Sequence, residues 1–196
     1  MINKTIEYYN QNAESYCSDT LNADMSYSRD EFTKYVKKDG TILDLGCGTG
    51  RDSKEFIKKG FKVIAVDGSK KLCEFASKYI GQEVICSTFE EYEPNEHFDG
   101  LWACSSLLHI PKHEIKSFMK KIIPYLNDGA IIYMSYKYGN NAEEKNGRYF
   151  VNFDEQSINE LFKDFTELKK IKEEITNDVR PGRTDEKWLN EYYKKV

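Results

Sequence analysis

Residues 41–56 read TILDLGCGTGRDSKEF. Ile42, Leu43 and Leu45 surround a single aspartate, Asp44. Gly46, Gly48 and Gly50 then fall within five residues, and a charged run of helix-forming residues follows. An apolar run closed by glycines and continued by a helical pattern predicts a strand, a tight turn and a helix. In an open α/β sheet such a turn stands at the carboxyl end of the strand, where ligands bind. Glycine lets the backbone approach a ligand and adopt positive φ. The following helix offers free N–H groups and the positive end of its dipole. The stretch therefore predicts a loop that holds a ligand against backbone.

Working outward, strands and helices alternate. Arg51 to Lys59 reads as a helix stopped by Gly60, and FKVIAVD (61–67) as a second strand. A helix over Ser69 to Tyr79 ends at Gly81. EVIC (83–86) and FDGLWAC (98–104) are further strands. Pro111 opens a helix to about Leu126. The turn NDG and the strand AIIYMSY (130–136) follow, and then an Asp-capped helix, DEQSINELFKDF (154–165). Strands near 166–176 and 187–195 have no helix between them and can pair only as an antiparallel hairpin. This alternation predicts an α/β, Rossmann-like, doubly wound sheet of seven strands, mostly parallel, with helices on both faces. About forty Tyr- and Asn-rich residues precede the first strand. Ile2, Ile6 and Tyr9 stand there at helical spacing, suiting either a helix that covers a core edge or a lid over a pocket. The 196 residues are read as one domain, with a helical cap over 1–40 and the core over 41–196.

Hydrophobic residues make up 39% and charged residues 32%, and the net charge is −4. That is the composition of a soluble globular chain. Lysine and arginine are interspersed with acids, which disfavours nucleic acid as a partner. No apolar run reaches membrane-spanning length, and no signal-peptide core opens the chain, so a cytoplasmic monomer or homodimer is expected. The five cysteines are dispersed, as reduced thiols are. His109 and His113 have ligand spacing, but Pro111 lies between them and no Cys or carboxylate set completes a metal site, so no metal is expected.

The ligand follows from the loop's chemistry. A phosphate loop would read GxxxxGK[ST], and a dinucleotide fingerprint GxGxxG; this loop reads GxGxG with Asp44 two residues ahead. A carboxylate there repels pyrophosphate and suits a cation. Asp67, closing the second strand, suits the two hydroxyls of a ribose. An ammonium, a ribose and no phosphate describe S-adenosyl-L-methionine. LDLGCGTGRDS followed by VIAVDGS resembles motif I and the following acidic motif of the class I S-adenosylmethionine-dependent methyltransferases. The order of elements agrees over nearly the whole chain. GLWACSSLLHIP and GRYF are similar to motifs of the small bacterial enzymes labelled tellurite-resistance-like, within the methyltransferase type 11 and 12 group.

The resemblance implies roles residue by residue. Asp44, Gly46, Cys47, Gly48 and Gly50 are expected around the methionine part of the cofactor, Arg51 and Asp52 at the loop exit on its carboxylate or amine, and Tyr16 is grouped with the cofactor-binding residues. Asp67 is expected on the ribose, with Gly68 and Ser69 beside the adenine edge. Thr88, Phe89 and Glu90 of CSTFEEY are expected at adenine, and Cys104 close to the sulfonium. His109 is the candidate general base.

For the substrate, loops after parallel strands open on one face. KYGNNAEEKNGRYFVNF (137–153) brings Lys137 and Arg148, and NDVRPGRTDEK (177–187) brings Arg180 and Arg183; Tyr8 of the cap is grouped with them. Arginine forks suit carboxylate or phosphate, so a small anionic metabolite is expected. Pairing of these arginines with Asp178, Asp185, Glu143 and Glu144 is the competing reading. Other functions compatible with the residues are an RNA- or tRNA-modifying methyltransferase and a non-catalytic S-adenosylmethionine-binding module. A nicotinamide-dependent oxidoreductase is disfavoured by GxGxG and Asp44.

Overall fold

The computed structural model of the chain describes residues 2–196, with side chains described from Lys4 onward. The side chain of Ile2 therefore lies outside the described residues. Three helices open the fold: α1 (Ile2–Gln11), α2 (Ala13–Thr20) and α3 (Ser26–Thr33). The core then alternates through β1 (Thr41–Leu45), α4 (Arg51–Lys58), β2 (Lys62–Asp67), α5 (Lys70–Ile80), β3 (Ile85–Cys86) and β4 (Phe98–Ala103). It continues through α6 (Lys112–Ile122), β5 (Leu126–Lys137), β6 (Ala142–Lys145), β7 (Arg148–Val151), α7 (Glu155–Phe162), β8 (Leu168–Asn177) and β9 (Lys187–Lys195).

Seven strands form one sheet in the order β3-β2-β1-β4-β5-β9-β8. The order reverses between β1 and β4, so the crevice of a doubly wound sheet opens beyond Leu45 and Ala103. Strand β9 runs antiparallel to both β5 and β8. It follows that β8 is parallel to β5, and the 178–186 connection opens on the same face as the glycine loop. Leu43, Leu45, Leu101, Ala103, Ile132 and Met134 face one buried cluster, and Ile42, Val63, Ala65, Trp102 and Tyr133 face the other. Near-continuous apolar strands are required when both faces of a parallel sheet are covered.

Several local readings are corrected. Asn127–Gly129 is not a separate turn: it lies inside β5, which starts at Leu126 because Phe98 pairs with Leu126 before the ladder shifts register to Gly100–Ile131. The 137–153 stretch holds the antiparallel pair β6–β7. Its exposed AEEK segment has no apolar alternation to announce a strand. The helix after Pro111 ends at Ile122 and is followed by a 3₁₀ turn that contains Pro124. The Asp cap is present: Asp154 accepts from Ser157 N–H, and Ser157 Oγ accepts from Asp154 N–H, so both exposed donors are satisfied.

Candidate active site

Gly46, Gly48 and Gly50 have φ of +74°, +57° and +75°, a region that glycine occupies without Cβ strain. Four N–H groups of the loop are committed within the fold. Those of Gly46 and Cys47 donate to the Val66 carbonyl, that of Gly48 to Asp67 Oδ2, and that of Gly50 to the Cys47 carbonyl. The first turn of α4 likewise holds its own buried anion. Asp52 is bracketed by Arg29 (2.6 Å) and Arg51 (2.7 Å) and receives the Trp102 indole N–H. The two guanidiniums hold the Asp52 carboxyl below its ordinary pKa against the effect of burial.

Asp67 closes β2 with 8% of its surface exposed. Oδ2 accepts from Gly48 N–H at 2.9 Å and Oδ1 from Ser69 N–H at 2.8 Å, which fixes the carboxylate plane. Burial raises its pKa, and these two bonds oppose the rise. Each oxygen keeps further acceptor capacity. Ser69 caps α5 and donates to Asn10 of α1, so the cap is pinned beside the same corner.

Two cavities meet at this crevice. The narrower, about 70 Å³, is lined by Gly46, Gly48, Asp67, Gly68, Ser69, Thr88 and Phe89, with Ile6 from the cap. The wider, about 190 Å³, is lined by Arg51, Cys104, Lys137, Arg148, Arg180 and Arg183. Tyr9, Tyr16, Ser105 and His109 line both, so they form the shared wall. A Cβ on Gly48 would come within 3.1 Å of Tyr16 Oη, which shows how closely the cap lies on the loop. Ser105 has φ +54°, backbone strain placed where the two cavities join.

The expected site residues divide accordingly. Asp44 lines neither cavity: it is buried, accepts from Ser53 Oγ at 2.6 Å and braces the turn from behind. Cys47 packs toward the core cluster beneath the sheet. Gly50 lies against Ala76 and Ile80 of α5, and Asp52 faces inward. Glu90 is exposed, and its carbonyl accepts from Lys121. Tyr8 lies under the Arg148 guanidinium, 4.3 Å from ring centre to Cζ, and lines neither cavity. The Cys104 thiol is pushed up to about 11, chiefly by burial, so it is no thiolate nucleophile.

The cations also divide. Arg180 forms a bidentate pair with Asp178 (2.9 and 2.5 Å), Lys137 pairs with Glu186 (3.0 Å), and Arg183 lies 3.9 Å from Glu186. Among the described residues Arg148 has no carboxylate within 4 Å, and its buried Nε finds no hydrogen-bond partner. Its guanidinium instead rests against the rings of Tyr8, Tyr9 and Phe150.

His109 is 9% exposed. Nδ1 lies 2.7 Å from the Tyr149 carbonyl and Nε2 lies 2.9 Å from Tyr9 Oη. Burial pushes its pKa down to about 4, with the Arg148 and Lys137 charges adding to the fall and the Tyr149 carbonyl opposing it. Tyr9, Ser105, Ser106 and Ile6 are wall residues that sequence reasoning did not assign. Only the helical spacing of Ile6 and Tyr9 signalled their shared face.

Comparison with known proteins agrees with this geometry. Residues 42–129 match the family described as a methyltransferase domain. These residues carry a methyltransferase domain. The methyltransferase domain is 27% identical over 99 residues to a ubiquinone biosynthesis O-methyltransferase of Bradyrhizobium sp. (strain ORS 278), covering 48% of this chain and 38% of that protein. An uncharacterized methyltransferase of Anoxybacillus flavithermus is 29% identical over 130 residues, 61% of each chain. The chain spans less than half the length of the first curated relatives it matches.

Among solved structures, Burkholderia thailandensis 1,6-didemethyltoxoflavin-N1-methyltransferase with bound 1,6-didemethyltoxoflavin and S-adenosylhomocysteine superimposes with a TM-score of 0.77. It is 16% identical, over 100% of this chain and 87% of that one. An S-adenosylmethionine-dependent methyltransferase from Clostridium acetobutylicum gives 0.68, at 18% identity over 95% and 98%. The methyltransferase domain's cofactor is S-adenosyl-L-methionine, and the narrower cavity suits it: a fixed carboxylate at Asp67 for hydroxyl donors and an aromatic ring at Phe89. Among the described residues no helix is long and apolar enough to cross a membrane.

Proposed function

We propose that the chain transfers a methyl group from S-adenosyl-L-methionine to a small anionic metabolite. The observation that carries this reading is the pair of cavities meeting at Tyr9, Tyr16, Ser105 and His109, one ending on Asp67 and the other holding the carboxylate-free Arg148. The bound cofactor supplies a methyl group activated on a sulfonium; the protein has to place, orient and dehydrate. Asp67 accepts from the ribose hydroxyls while the loop N–H groups keep its plane fixed. Gly46 and Gly48 leave room for the methionine arm, and Phe89 packs on the base. Tyr16, over the glycine loop, excludes water from the junction. Arg148 orients the acceptor through its anionic group, as a guanidinium without a competing carboxylate can.

Calorimetric titration with S-adenosylmethionine, S-adenosylhomocysteine and NAD tests the cofactor assignment. Binding of the two sulfur ligands without NAD is expected, and binding of NAD alone overturns it. Release of S-adenosylhomocysteine in the presence of small carboxylates separates an enzyme from a non-catalytic binder.

A further inference from the structure

The shared wall has a direction in its hydrogen bonds, and that direction starts in the backbone. A carbonyl oxygen can only accept. With the Tyr149 carbonyl 2.7 Å from Nδ1 of His109, the proton of the neutral ring belongs on Nδ1. Nε2 is then a bare lone pair, and its neighbour at 2.9 Å is Tyr9 Oη. The tyrosine must donate to it. Its single proton is thereby used, so Tyr9 Oη can only accept from anything on its other side, where both cavities lie. The ring is locked in place by edge contacts with Tyr8, Tyr16 and His109, with centroids 5.0–5.6 Å apart. Arg148 lies 5.7 Å from the Tyr9 ring centre, where its charge favours negative charge on the phenol oxygen. Burial keeps the Tyr9 hydroxyl protonated at rest, and Arg148 opposes that effect. The ring of His109 rests neutral at pH 7, as the tautomer requires.

We propose that Tyr9 is a catalytic residue whose oxygen receives the hydrogen of the methyl acceptor, that His109 is the positioning residue behind it, and that the acceptor is a protic nucleophile, a hydroxyl or an N–H, on an anionic molecule. This rests on the methyl-transfer reading above. As the acceptor atom takes the methyl carbon and the carbon–sulfur bond breaks, the acceptor's proton passes to Tyr9 Oη. The tyrosine's own proton passes to Nε2 of His109. Nδ1 keeps its proton on the Tyr149 carbonyl, and the imidazolium later returns one proton through Tyr9 to solvent. One positive charge leaves the sulfur and one appears on the ring, so the enclosed charge is unchanged. A thioether or an oxyanion acceptor has no proton to give, and Tyr9 Oη would then face it lone pair to lone pair.

Nitrogen-15 histidine labelling tests the polarity without turnover. Long-range proton–nitrogen spectra at pH 7, with His109 assigned by its loss in His109→Gln, are expected to show the Nδ1–H tautomer. The Nε2 signal should move in Tyr9→Phe as its donor disappears. An Nε2–H tautomer, or an Nε2 signal that ignores Tyr9→Phe, overturns the proposal whatever the enzyme turns over. The acceptor class is read with 3,4-dihydroxybenzoate and anthranilate as protic probes against 3-(methylthio)propanoate and tellurite. Transfer to a protic probe, with kcat down about a hundredfold in Tyr9→Phe while S-adenosylhomocysteine affinity stays within about threefold, supports it. Transfer to an aprotic probe that Tyr9→Phe leaves intact overturns it. Failure of the wild-type protein to bind S-adenosylhomocysteine overturns the methyl-transfer reading instead.

Discussion

Asp67 lines the narrower cavity and Arg148 the wider, and their neighbours set what each substitution does. Asp67 is held by two backbone donors before any ligand arrives. Asp67→Ala removes both the acceptor and the brace of the Gly48 turn, and should weaken S-adenosylhomocysteine binding by more than about tenfold, since hydrogen bonds to a charged group contribute about 1.5–3 kcal/mol. Unchanged affinity by calorimetry would remove Asp67 from the ribose. Arg148→Ala should raise the acceptor KM by at least about tenfold and leave cofactor affinity alone, because no carboxylate depends on it. Arg180→Ala should do the reverse. Buried Asp178 loses its bidentate partner and keeps only the Trp188 indole and the Arg180 N–H, so the melting temperature falls while KM moves little. Equal KM effects from the two arginines would count against Arg148 as the anion contact.

At the scale of elements, glycine marks where helices meet the sheet. Gly50 has φ +75°, and a Cβ there would reach within 2.8 Å of Ile80 and 3.3 Å of Ala76, so α4 and α5 close over it. Gly50→Ala combines left-handed strain of about 1–2 kcal/mol with that clash, and should lower thermal stability more than Gly81→Ala, whose Cβ meets nothing. Similar losses for the two would show that packing over Gly50 is not tight. The glycine loop and Asp67 were legible in the sequence because turn geometry and strand ends are written in neighbouring residues. Tyr9 was not. Its partner His109 lies a hundred positions away, and only the docking of α1 beside β7 and α5 brings them together. Asp44 shows the converse: a motif aspartate expected at the ligand turns to Ser53, because a buried carboxylate takes the nearest donor. The arginines were legible as a group, but which of them stays unpaired depends on the sheet order that sets the 178–186 connection beside β5.

For the molecule as a whole, two carboxyls away from both cavities bear on its response to pH. Asp44 and Glu191 are each pushed up to about 7, chiefly by burial, from ordinary values of 3.8 and 4.5. Each binds its proton more tightly in the folded chain than in the unfolded one. Their contribution to stability is therefore full below about pH 4 and is lost as pH rises through about 7. Glu191 is fully buried on β9, with Lys170 2.9 Å away but no aligned hydrogen bond to either oxygen. Lys170 retains Glu173 and Asn159. Glu191→Gln should thus stabilise the protein by an amount that grows from near zero at pH 4 to about 3 kcal/mol at pH 8. Melting curves at the two pH values that shift equally would refute the assignment.

The chain has two tryptophans, and the fold separates them by function. Trp102 is sealed under the sheet, stacked 4.0 Å from Tyr133 with its indole N–H on Asp52. Trp188 stands on the wall of the wider cavity with its N–H on Asp178. Replacing Trp102 with Phe would leave a single tryptophan, which light too long in wavelength for the fourteen tyrosines excites alone, on the wall where filling of the acceptor cavity would change its emission.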